Sequence, residues 1–95
     1  MDIKEVCGEI ANGDAALVDV REQAEWDAGH LRKARLFPLS RLAEGDIPDD
    51  LPQDKTIYLH CRKGGRAAQA AQILKERYPN AVALKFGYDE LKAYL

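Results

Sequence analysis

The chain has little of several things. Its 95 residues hold two cysteines, one methionine and one tryptophan. No apolar run approaches the ~20 residues needed to cross a bilayer. The opening MDIKEVCGEI is charged at positions 2, 4 and 5 and has no apolar h-region, so it does not read as a signal peptide. A net charge of −2 gives no global attraction to nucleic acid or anionic lipid, so neither is expected as a partner. Repeats and low-complexity tracts are absent. Cys7 falls on a helix face expected to be buried, which argues against pairing with Cys61 and for a reduced, cytoplasmic protein.

What is present is ordinary in bulk. Hydrophobic residues make up 46% of the chain and charged residues 32%, as in a soluble globule. The length fits one domain over residues 1–95, near the size at which a single core folds unaided.

Ile3, Val6, Cys7 and Ile10 recur at helical spacing, with Asp2 and Glu5 as a start signal and Asn12-Gly13 as a stop. Short apolar runs at 15–20, 34–37, 56–60 and 81–85 read as strands. Brief helices are expected over 22–28 and 40–43, and a terminal one over 88–95. Residues 44–55, EGDIPDDLPQDK, read as a surface loop. Strands alternating with helices argue for an α/β sandwich around a parallel sheet.

The informative stretch is Ile57–Leu74, IYLHCRKGGRAAQAAQIL. It reads as a buried strand, a cationic loop opening at Cys61, and a helix ending at Tyr78-Pro79-Asn80. Ala67, Ala70, Ala71 and Leu74 share the face of that helix expected to lie close on the sheet. Ligands in such sheets bind beyond the carboxyl ends of strands, where Cys61 falls.

Gly64 and Gly65 permit positive φ, so successive N–H groups can turn inward as an anion-binding nest. Arg62, Lys63 and Arg66 add positive charge. An unperturbed thiol is only about 3% ionised at pH 7. Making it mostly thiolate takes roughly 2.7 kcal/mol of preferential anion stabilisation.

Leu17-Val18-Asp19-Val20-Arg21-Glu22, then Glu25-Trp26 and Gly29-His30-Leu31, together with the strand and six-residue loop at Cys61, resemble the two signatures of the rhodanese family of sulfurtransferases. The resemblance covers nearly the whole chain. It implies a three-layer fold with a mostly parallel sheet of four to five strands flanked by helices. It also implies that Cys61 accepts a sulfane sulfur as a persulfide and hands it to cyanide or a thiol, which could belong to a partner protein.

By the same resemblance, main-chain N–H groups of Arg62 to Arg66 hold the terminal sulfur. Such chemistry needs donors but no general base, metal or cofactor. Arg62-Lys63-Gly64 resembles the loop of members that use thiosulfate, a small dianion.

Asp19 and Arg21 are expected to form an ion pair or hydrogen-bond clamp, and His30 to be a structural hydrogen-bonding residue. Trp26 is expected in packing. His60 should point away from Cys61 on an extended strand, which makes it a poor base. Two readings of Arg66 stay open: reaching across the cysteine to the donor, or beginning the helix.

The chain departs from the family pattern at Lys33 and Leu36, and at Phe86-Gly87 and Leu91 near its end. Two other functions remain to be weighed. A phosphatase or arsenate reductase of related fold would use the same thiolate. Phosphatases, however, place five residues between cysteine and arginine, and here there are four. A non-catalytic recognition module typically loses the cysteine. No Gly-Lys-Ser/Thr follows the glycines, which excludes a nucleotide P-loop.

Overall fold

In the computed structural model, which describes residues 1–95, the elements run α1 (Ile3–Ala11), β1 (Ala15–Asp19), α2 (Gln23–Ala28), β2 (Ala34–Leu36), α3 (Leu39–Ala43), β3 (Thr56–His60), α4 (Gly65–Leu74), β4 (Ala81–Ala83) and α5 (Tyr88–Lys92). The strands form one parallel sheet in the order β2-β1-β3-β4. β1 and β3 occupy the middle, with Asp19 opposite His60. The carboxyl ends of these two strands therefore open at one edge of the sheet, beside each other.

The period of two along β1 and β3 makes the three layers. Val18, Leu59 and Ile57 pack with Ala67, Ala70 and Leu74 of α4 and Leu42 of α3. Leu17 and Tyr58 point the other way, into a cluster with Val6, Cys7 and Ile10 of α1 and Leu91 of α5. Asp2 caps α1, accepting the Lys4 N–H at 2.9 Å. Cys7 is a small core residue, and burial pushes its thiol up.

Several bounds differ from expectation at their ends. β4 stops at Ala83, although Leu84 N–H still donates to Leu59 O at 2.9 Å. α4 stops at Leu74 and α5 at Lys92, each giving way to a turn. The segment over residues 44–55 is more than a surface loop. Pro48 and Leu51 are buried, and the Tyr78 hydroxyl donates to Pro48 O at 2.7 Å while accepting Leu51 N–H at 3.3 Å. A tyrosine from beyond α4 thus holds this loop down as a lid on the core. No helix is long and apolar enough to cross a membrane.

Ala67 and Ala70 are fully buried between α4 and the sheet, so their small size sets how near the helix lies. Ala70→Leu should cost about 1–3 kcal/mol by overpacking. Gln69→Leu on the exposed side should change stability by less than about 0.5 kcal/mol. Urea midpoints compare the two, and equal values would mean that α4 does not rest on the sheet.

Candidate active site

Cys61 follows β3 directly, its side chain on the α4 side with that of Leu59 and only 1% exposed. The chain then turns through Gly64, the N-cap of α4, in the left-handed region at φ 101° and ψ −19°. A side chain there would be strained, which is why the turn needs glycine. Gly65 needs no such freedom and is the first residue of the helix. The turn aims Gly64 N–H at Cys61 Sγ, 3.0 Å away.

Burial pushes the Cys61 thiol up, but the N–H groups of Ala67, Gly64, Lys63 and Arg66 outweigh it and hold the thiol below its ordinary range. Ala67 joins the loop as a donor for a simple reason: N–H groups in the first turn of a helix have no carbonyl partner within it, and Arg66 and Ala67 fall there. The sulfur lies at a shallow depression of about 300 Å³, which Arg62, Lys63, Gly65 and Arg66 also line. The Arg62 and Lys63 side chains are exposed at its mouth.

The expected clamp is present and buried. Both oxygens of Asp19 receive Arg21, at 3.0 Å from Nε to Oδ1 and 2.8 Å from Nη2 to Oδ2, and Oδ1 also takes the Arg21 N–H. Arg21 Nη2 donates as well to Gly29 O at 2.8 Å. Its guanidinium lies 4.2 Å from the centre of the Tyr88 ring. The Tyr88 N–H donates to Cys61 O at 3.0 Å, so the clamp reaches the main chain of the cysteine through the first residue of α5. Losing one member of so buried a pair costs about 3–5 kcal/mol.

Arg66 begins α4 in its second position, and its side chain turns to Glu25 in a two-pronged pair, Nη1 to Oε1 at 2.6 Å and Nη2 to Oε2 at 3.0 Å. Arg66 thus holds the start of α4 to α2 while still lining the depression. Arg66 in turn draws the Glu25 carboxyl down to about 2. Glu25 Oε1 also accepts the Glu22 N–H at 3.1 Å, closing a capping box at α2.

His30 is outside the site. Its Nδ1 is 2.9 Å from Trp26 O, a carbonyl that can only accept, and its ring stacks on the half-buried Trp26 at 3.7 Å. His60 is fully buried, and desolvation holds its imidazole below the ordinary range. Neither ring nitrogen finds a hydrogen-bond partner, and Nε2 stands 3.8 Å from Asp19 Oδ2. The strand pleat puts it on the face away from Cys61, as expected.

Sequence reasoning missed Glu25, Ala67, Gly87 and Tyr88 as parts of this site. Glu25 was visible as the third residue after Glu22, the spacing of a capping box. Gly87 has a steric reason: a Cβ there would stand 1.8 Å from Arg62 O. No three or more His, Cys, Asp or Glu side chains gather as a metal site.

Two outcomes follow from this electrostatics. Glu25 titrates near 2 in the folded chain against 4.5 ordinarily. Its contribution is therefore full above about pH 4.5 and drains away as pH falls toward 2. The pair is partly exposed and screened, so Glu25→Gln should lose about 1 kcal/mol at pH 7 and flatten the acid limb of the stability–pH curve. An unflattened limb would show that the pair carries no stability.

In ultraviolet titration, Cys61 should ionise below the ordinary thiol range and Cys7 above it, with only the upper step left in Cys61→Ser. A first midpoint at or above the ordinary value would contradict the cradle.

Comparison with known proteins agrees with this geometry. The family model described as Rhodanese-like domain matches residues 2–94. The probable adenylyltransferase/sulfurtransferase MoeZ of Mycobacterium tuberculosis is 42% identical over 73 residues, 76% of this chain; the match spans 19% of MoeZ. A protein named Sulfurtransferase from Allochromatium vinosum is 31% identical over 78 residues, 78% of this chain and 68% of that one. The human single-domain sulfurtransferase TSTD1 superposes with a TM-score of 0.79 at 26% identity, covering 96% of this chain and 92% of that structure. With the sulfur-directed loop at the end of β3, these matches establish that the chain belongs to the rhodanese-like domain family.

Proposed function

We propose that the chain is a sulfurtransferase in which Cys61 carries a sulfane sulfur by double displacement. The observation that carries this reading is the convergence of main-chain N–H groups on Cys61 Sγ, with Gly64 at 3.0 Å. Amide dipoles held in place by a helix start stabilise negative charge on sulfur without reorganising during the reaction. The names of the Allochromatium vinosum and human relatives point the same way.

Thiosulfate is the proposed donor, because Arg62 and Lys63 stand exposed at the mouth of the depression, where a small dianion would enter. The Cys61 thiolate attacks the outer sulfur of thiosulfate. The S–S bond of the donor breaks and sulfite leaves with its electron pair, giving a Cys61 persulfide. A nucleophilic acceptor, cyanide or a thiol, then attacks the terminal sulfur, and Cys61 departs as thiolate. Asp19 and Arg21 fix the strand end, and the Tyr88 N–H fixes the Cys61 carbonyl. The proposed setting is the cytoplasm, where free thiols persist.

The phosphatase or arsenate reductase reading loses support. Four residues separate Cys61 from Arg66, and Glu25 already takes the Arg66 guanidinium at both prongs, leaving a tetrahedral oxyanion without its arginine clamp. Retention of Cys61 speaks against a purely recognising module.

Incubation with thiosulfate should raise the intact mass by one sulfur, and cyanide should return it. Cys61→Ser should show neither change. An unaltered mass in the parent chain sinks thiosulfate as donor.

A further inference from the structure

A cavity of about 410 Å³, larger than the depression over Cys61, lies between the end of α1, the loop after α2, and α5. Arg32, Lys33 and Lys92 line it, all exposed. No acidic side chain lines it, and none of the three cations is in an ion pair, although the chain as a whole carries −2. Tyr94, at 49% exposure, borders the same space and is one of only three exposed large hydrophobic residues.

The cavity neighbours the reactive end of the sheet. Tyr88 is shared with a middle cavity of about 340 Å³, and that cavity shares Arg62 with the depression over Cys61. In the middle cavity, Arg66 neutralises Glu25 and only Asp89 is a carboxylate without an ion-pair partner.

We propose that this trough is the acceptor-docking surface, and that it takes an acidic polypeptide segment carrying a cysteine thiol. A small anion would need only Arg62 and Lys63. Three neighbouring spaces, with a second group of cations and an exposed aromatic beyond Tyr88, match an extended chain with acidic side chains and an apolar one. Opposite charge raises the rate of encounter and fixes the register of the docked segment.

The transfer half of this proposal rests on the sulfurtransferase reading. The acceptor thiolate attacks the terminal sulfur of the Cys61 persulfide. A new S–S bond forms, the bond to Sγ breaks, and its electron pair returns to Cys61 as thiolate. The acceptor leaves as a persulfide, so no outside oxidant or reductant is needed.

The test uses synthetic peptides of one length, each with a single cysteine flanked by acidic, neutral or basic residues. Fluorescence anisotropy measures binding to the unloaded protein, and mass spectrometry measures sulfur transfer from the loaded one. The acidic peptide should bind and react about tenfold better than the neutral one, with the advantage shrinking as salt screens it. Arg32→Glu combined with Lys33→Glu and Lys92→Glu should abolish the preference while loading by thiosulfate and discharge to cyanide stay unchanged.

Equal behaviour of the three peptides, or a preference surviving in the triple variant, overturns the proposal. A second copy of the chain filling the trough would appear as a concentration-dependent mass and overturn it too. Failure of thiosulfate to load Cys61 counts against the proposed donor reaction, and the anisotropy result still decides the docking surface.

Discussion

One balance governs the site: taking the Cys61 sulfur out of water disfavours its anion, and main-chain N–H groups aimed at it favour the anion more. The donors are main-chain groups, fixed by the course of the backbone. That course depends on Gly64 in the left-handed region, on the unpartnered N–H groups at the start of α4, and on β3 lying between two strands. The small alanines of α4 hold the helix, and with it the donors, against the sheet. The packing of the core and the reactivity of the thiol are in this sense one problem.

Two ion pairs secure the site in different ways. Asp19 and Arg21 are almost wholly out of solvent and tie β1 to the loop at Gly29 and to the ring of Tyr88. Glu25 and Arg66 are about one-third exposed and join the starts of two helices. The first is intolerant of a missing partner, because an uncompensated buried charge would remain. The second is adjustable and leaves Arg62 and Lys63 as the unpaired cations at the mouth. His60, neutral and unpartnered beside Asp19, leaves that carboxylate wholly to Arg21.

Much of this was legible in the chain. The period of two in an extended strand placed His60 on the face away from Cys61, and the helical spacing of Ala67, Ala70 and Leu74 gave the buried face of α4. The Gly-Gly pair announced a turned loop, and the Asp19-Val20-Arg21 spacing announced a clamp. The rest arises from contacts between segments far apart in sequence, and local patterns do not encode those. Glu25 and Arg66 are 41 residues apart, and Tyr78 reaches back 30 to Pro48. The closeness of Gly87 to Arg62 likewise has no local sign, because it is set by where α5 begins in space. The strands were expected to run longer because apolar residues continue past their ends, and Val20, Phe37 and Leu84 there each still donate one N–H to a neighbouring strand.

The contact between Gly87 and the Arg62 carbonyl sets a limit on remodelling. With no room for even a methyl group between them, the loop is boxed in by α5 as well as by its own helix. Inserting a fifth residue between Cys61 and Arg66, to widen the ring for a bulkier oxyanion, would drive Arg62 into residues 87 and 88. Converting this scaffold to such chemistry would therefore require rebuilding the entry to the last helix along with the loop.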